Sequence, residues 1–145
     1  MAQVYLPSNI SSNVFKSPTN SESAEANRIL TVPAATNPLT DAEKNFALVT
    51  SLILTNKSLG SITVNAKVTN STSSAYILYG VNVPAGTAFE VIQGNKFILK
   101  EGDTLVVWHG STATNVLDVM TSYTLHQPNR SEEHTSELQS PMYLV

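Results

Sequence analysis

Ser61-Ile62-Thr63-Val64-Asn65-Ala66-Lys67-Val68 alternates polar and apolar residues without a fault. A period of two is the period at which side chains leave opposite faces of an extended strand, so Ile62, Val64, Ala66 and Val68 share one face and Ser61, Thr63, Asn65 and Lys67 the other. One face belongs to a core and the other to water.

The same rhythm extends outward in both directions. Upstream, Phe46 to Thr55 is more continuously apolar, which predicts a central strand covered on both faces, and Asn56-Lys57-Ser58-Leu59-Gly60 makes the turn between the two. Downstream, the loop Ser71-Thr72-Ser73-Ser74 leads into Tyr76 to Val83, which alternates through Ile77, Tyr79, Val81 and Val83. Pro84-Ala85-Gly86-Thr87 has the residue order of a type II turn. Short strands are predicted at Phe89–Ile92 and Lys96–Lys100, on either side of Gln93-Gly94-Asn95. Glu101-Gly102-Asp103 turns the chain into Thr104–His109. A last strand, Asn115 to Leu125, puts Leu117, Val119, Tyr123 and Leu125 inward and Asp118, Met120, Ser122 and Thr124 outward.

About seven strands in roughly eighty residues, with turn signals every 8–12 residues, is the pattern of an antiparallel β-sandwich, jelly-roll or immunoglobulin-like; a small barrel is the alternative. Arg28-Ile29-Leu30-Thr31-Val32 is a further strand candidate, giving seven to eight in all. The connections are too short for the crossover helices of a parallel sheet, so an α/β fold is excluded. The fold class is therefore all-β.

The chain has room for one such domain, assigned here to residues 44–127. Residues 1–43 are rich in Ser, Asn, Thr and Pro, with Pro7, Pro18, Pro33 and Pro38 breaking any helix of ordinary length. They read as an extended arm, with a second short apolar patch at Val4-Tyr5-Leu6. Thr40-Asp41-Ala42-Glu43 has the form of a capping box, for at most one helical turn. The stretch Arg130-Ser131-Glu132-Glu133-His134-Thr135-Ser136-Glu137-Leu138-Gln139-Ser140 resembles the translation of a sequencing-library adapter, and Met142-Tyr143-Leu144-Val145 its continuation. Residues 130–145 are thus expected to be a non-native tail. Of the 8 basic and 11 acidic residues, Arg130, Glu132, Glu133 and Glu137 lie there, so without the tail the balance is 7 against 8.

Charged residues make up only 13% of the sequence, so the surface is built mainly from neutral Ser, Thr and Asn. With no cysteine, disulfides, thiolate metal sites and cysteine nucleophiles are excluded together. Neither a signal peptide nor an apolar run near the roughly 18 residues of a membrane helix is present, which predicts a soluble protein made in a cytoplasm and no membrane partner. Basic residues are sparse, and Arg28 is the one arginine outside the tail, so nucleic-acid binding has little electrostatic support.

Few residues invite chemistry. His109 and His126 lie near the ends of the last two strands without a spacing motif, and Glu101 and Asp103 flank a turn glycine, where solvation and turn formation are their ordinary roles. A hydrolase would need two carboxylates to converge, for instance Glu90 with Asp118. No catalytic, cofactor-binding or metal-binding residue is assigned, and no cofactor is implied. The chain reads as a binding or assembly module and not as an enzyme. Trp108 is the single tryptophan and falls on the face opposite Leu105 and Val107; with Tyr76 and Tyr79 it is the candidate for contact with a ligand or a subunit.

Two stretches, Ser74-Ala75-Tyr76-Ile77-Leu78-Tyr79-Gly80-Val81-Asn82-Val83-Pro84-Ala85-Gly86-Thr87 and Gly94-Asn95-Lys96-Phe97-Ile98-Leu99-Lys100-Glu101-Gly102-Asp103-Thr104-Leu105, end in a final Asp118-Val119-Met120-Thr121-Ser122-Tyr123 strand. This order resembles small virion structural proteins of tailed bacteriophages, with those of marine myovirus-like cyanophages the nearest comparison, over about residues 46–127. The resemblance implies a repeated structural subunit of a particle (tail, neck, fibre or head decoration), located in the virion and partnered by copies of itself and other virion proteins. The competing expectation is a carbohydrate-binding or adhesin-like sandwich, which requires Trp108 or two of the tyrosines to be exposed and adjacent.

Overall fold

The structure, a computed structural model, describes residues 5–35 and 44–131. Among them run nine strands: β1 (Tyr5–Lys16), β2 (Arg28–Thr31), β3 (Phe46–Asn56), β4 (Ile62–Thr69), β5 (Ser74–Val83), β6 (Ala88–Glu90), β7 (Phe97–Lys100), β8 (Thr104–His109) and β9 (Leu117–Ser131). One short 3-10 turn, Glu25–Asn27, precedes β2. The pairings between strands are antiparallel.

Two sheets face each other. The first has the order β1-β9-β3, with β7 and β6 sharing the far edge of β3; the second has the order β2-β8-β4-β5. The chain changes sheet at most connections and stays within one only at the β4–β5 hairpin and from β6 to β7. Such interleaving of two Greek keys is a jelly roll. An immunoglobulin-like sandwich keeps its first two strands in one sheet, whereas β1 and β2 lie in different ones.

The core lies between the sheets. Ala47, Val49, Leu52 and Leu54 of β3 and Leu117 and Val119 of β9 meet Val64 and Ala66 of β4 and Leu105 and Val107 of β8, all of them buried. At roughly 25 cal/mol per Å² of apolar surface removed from water, this layer is the main stabilising term. Ile62, Val64 and Ala66 are buried and Val68 packs against the cluster, which is the face that their alternation assigns to the core.

In β3 the structure corrects one expectation. The strand is central, but it is covered on one face only: Ala47, Val49, Leu52 and Leu54 point inward while Phe46, Leu48 and Ile53 are half-buried on the other side. The register to β9 shifts between Val49 and Ser51. A bulge there joins two alternations of opposite phase, and out-of-phase alternations read as a continuous apolar run. Its polar groups are satisfied: the Thr121 hydroxyl donates to the Ser51 carbonyl at 2.8 Å, and the Glu90 carboxylate accepts from the Ser51 hydroxyl at 2.9 Å and the Leu52 N–H at 3.0 Å. Glu90 thereby fills the gap between the β7 and β6 pairings along β3.

Residues from the segment read as an arm join both sheets. β1 pairs along its length with β9, and β2 borders β8. Between them the chain is held by buried Asn27, whose Oδ1 accepts from the Thr19 N–H at 2.8 Å and whose Nδ2 donates to the carbonyls of Thr19 and Ser21, both at 3.0 Å. The capping-box residues 40–43 lie outside the described residues, as do 132–145; Arg130 and Ser131 end β9, opposite Leu6 and Tyr5.

Candidate functional site

On β8 the alternation puts Leu105, Val107 and His109 into the core and Thr104, Val106 and Trp108 on the outer face. Antiparallel register sets Asn65 beside Trp108, and Lys67 between Val106 and Tyr76. Trp108, on β8, and Tyr76, on β5, are thereby carried to the same outward face across β4.

Tyr79 arrives there by a different route. Simple alternation would send Tyr79 inward with Ile77 and Val81. The pairing of β5 with β4 instead slips twice, between Val64 and Ala66 and again between Ala66 and Lys67. Gly80 sits in the first slip with a positive φ of 63°, in the left-handed region that glycine enters without strain, and its N–H donates to Asn65 Oδ1 at 2.8 Å. These bulges turn Tyr79 outward, where it is 77% exposed, while Tyr76 is 47% exposed and Trp108 half-buried.

The three rings form one cluster. Tyr76 and Tyr79 meet edge to face, with centroids 4.9 Å apart and planes at 88°; Tyr76 and Trp108 lie 5.9 Å apart at 60°. The Lys67 ammonium stands 5.7 Å from the Trp108 centroid and 5.9 Å from that of Tyr76, close enough for attraction by both ring faces. It also pairs with the Glu22 carboxylate. Beside the rings lies an open groove of about 460 Å³ lined by Glu22, Ser23, Arg28, Lys67, Thr69 and Val106. Lys67 belongs to both the cluster and the groove. Sequence reasoning named the three aromatic residues but missed Lys67 and Glu22; an isolated glycine within a strand was the available signal for the bulge, and nothing local marks Glu22.

The other ionisable candidates are not brought together. His109 is buried, accepts from the Ser111 N–H through Nδ1 at 3.2 Å, and so carries its proton on Nε2, which donates to the Pro18 carbonyl at 3.1 Å. Burial lowers its pKa more than these two hydrogen bonds raise it, so the ring is neutral. His126 belongs to the other sheet, stacked on Phe46 at 4.6 Å. Glu101 accepts from the N–H groups of Ala35 and Asn45, both at 2.7 Å. Asp103 accepts from Lys100 N–H at 2.9 Å and from the Asn70 side chain at 3.0 Å. Glu90 and Asp118 flank β3 from opposite sides, and Asp118 pairs with Lys57 at 3.1 Å. Burial would raise the Glu90 carboxyl, but hydrogen bonds from Leu52, Ile92, Ser51 and Gln93 outweigh it and hold its pKa below the usual carboxylate value.

Among the described residues, no three His, Asp or Glu side chains gather as a metal site would need, and no helix is long and apolar enough to cross a membrane. What the outward face of the β2-β8-β4-β5 sheet offers is contact chemistry: exposed ring faces, a cation held over them, and a polar groove. No protein-family model matches the sequence, and no curated protein matches it either.

Proposed function

We propose that this chain is a structural component of a phage virion, a tail, neck, fibre or head-decoration subunit that acts through contacts with copies of itself and with other virion proteins. The observation that carries this reading is β1. It is a 12-residue strand at the outer edge of its sheet, held on one side by β9. Among its residues from 9 to 16, Val14 is the one apolar side chain packed against the core. Ile10 and Phe15, five positions apart and so on opposite faces, are 49% and 70% exposed.

A long edge strand with apolar side chains on both faces is a template for pairing with another chain, and proteins that act alone blunt such edges with charge, proline or a covering element. In β1, Pro7 and the register shift between Leu6 and Ser8 blunt only the first residues, and Ser8 to Phe15 carry neither charge nor proline. Residues 9–16 of β1 give little to the core, so the gain from keeping them lies in an assembly. The resemblance of residues 46–127 to small virion proteins of tailed phages supports the same reading, as does a surface of neutral Ser, Thr and Asn residues that leaves neighbouring copies free of strong charge repulsion.

Quantitative mass spectrometry of purified particles tests it. Peptides from residues 46–127 are expected in fixed ratio to the other particle proteins through successive gradient purifications. Their loss on purification overturns the proposal.

A further inference from the structure

We propose that the outer face of the β2-β8-β4-β5 sheet binds one or two neutral hexopyranose units of a glycan chain, with Tyr76, Tyr79 and Trp108 receiving the sugar's C–H face and Lys67, Glu22 and Arg28 its hydroxyls. This goes beyond assembly and does not depend on it.

Three observations converge on that ligand. First, the site is built at a local cost: two register slips and a left-handed Gly80 place Tyr79 beside Tyr76, where regular pairing would have sent it inward. Bulges that re-aim a side chain recur at functional positions. Second, the rings meet at 88° and 60°, so they make a bent niche and not a flat platform. A bent niche suits a single flexible chain; a crystalline polysaccharide surface needs coplanar rings.

Third, the polar surroundings match a sugar better than a protein. A pyranose is apolar on its C–H face and polar around its rim, and the aromatic cluster and the adjoining groove repeat that division across Lys67. The groove, at about 460 Å³, falls within the range of small-molecule sites. A protein partner covering this face would have to desolvate the Lys67–Glu22 pair, a loss that its Coulombic attraction seldom repays. Sugar hydroxyls instead replace the water around those charges. Lys67 is balanced by Glu22 and Arg28 by Glu25 at 3.9 Å, so the face has no surplus charge with which to select an acidic sugar.

The single tryptophan provides the readout. The full chain is screened on an array of neutral and acidic oligosaccharides, and the neutral hexose-containing hits are titrated while Trp108 emission is followed. Binding of neutral glycans with a shift in emission is expected, weakened about tenfold or more by Tyr79→Ala and retained by Tyr79→Phe, which keeps the ring. Tyr79 is exposed, so its removal leaves the fold intact, and Leu59→Ala, at a fully exposed turn residue outside both proposed contacts, is the control that leaves binding unchanged. Absence of neutral-glycan binding, preference for acidic glycans alone, or affinity unaltered by Tyr79→Ala each overturns the proposal. So does a shift in Trp108 emission produced by another particle protein while no glycan produces one. None of these results bears on whether the chain is found in purified particles.

Discussion

Replacing Gly80 by alanine separates the bulged β5 from a regular strand by the sign of a stability change. At a φ of 63° an L side chain lies in the left-handed region, which costs roughly 1–2 kcal/mol. A Cβ built on Gly80 meets no atom within 4 Å, so no clash or new packing adds to that cost. Alanine also restricts the unfolded chain, which returns about 0.4–1 kcal/mol. The net expectation for Gly80→Ala is a loss of about 1 kcal/mol. In a regular strand the same change would stabilise by about 0.5–1 kcal/mol, because glycine there is the costlier residue. Urea unfolding followed by Trp108 fluorescence measures the difference: the midpoint falls and the slope stays constant, since the surface exposed on unfolding is the same. Asparagine tolerates left-handed φ better than alanine, so Gly80→Asn loses less. If Gly80→Ala is as stable as the parent or more so, the bulge is absent and with it the reason for Tyr79 to face outward.

Three further predictions concern pH and the β3 bulge. Glu90→Ala leaves the N–H of buried Leu52 without its acceptor and is expected to cost about 1–3 kcal/mol in the same assay. Because the folded Glu90 carboxyl is held below its unfolded value, its contribution is complete above the usual carboxylate range and lost as pH falls through the lowered folded value; Glu90→Gln removes that part of the acid dependence. His109 has a folded pKa below its unfolded value near 6.5, so below that pH the unfolded chain takes up a proton that the folded chain refuses. Stability is therefore flat with respect to this group above about pH 6.5 and falls below it by at most about 1.4 kcal/mol per pH unit. In His109→Gln, unfolding curves from pH 7 down to 5 lose that slope; retention of the full slope would show that another group causes it.

How far the sequence foretold the fold differs along the chain, and the difference is physical. β3 to β9 were readable because each places apolar side chains on a face that the other sheet covers, and burial selects a period of two. β1 carries no such mark. Its polar run with Pro7 is extended because β9 supplies a partner for its backbone, and backbone pairing leaves no trace in the order of side chains. Bulges stay hidden for a related reason: one inserted residue reverses the phase of everything beyond it, which made β3 look covered on both faces and concealed how Tyr79 parts from the face of Ile77 and Val81. Of the candidate site, Trp108, Tyr76 and Tyr79 could be named as residue types. Their adjacency depends on β8, β4 and β5 lying side by side, and the ion pair with Glu22 joins residues 45 positions apart in the chain. Contacts of that range are properties of the fold.

Sedimentation of the full chain tests most directly whether β1 is a contact edge. Concentration-dependent association is expected, and the double variant Ile10→Lys/Phe15→Lys, which puts a charge on each exposed face of the strand without touching the core, is expected to weaken it at least tenfold. A chain that sediments as a monomer at every concentration, or one whose association is indifferent to both lysines, would contradict it.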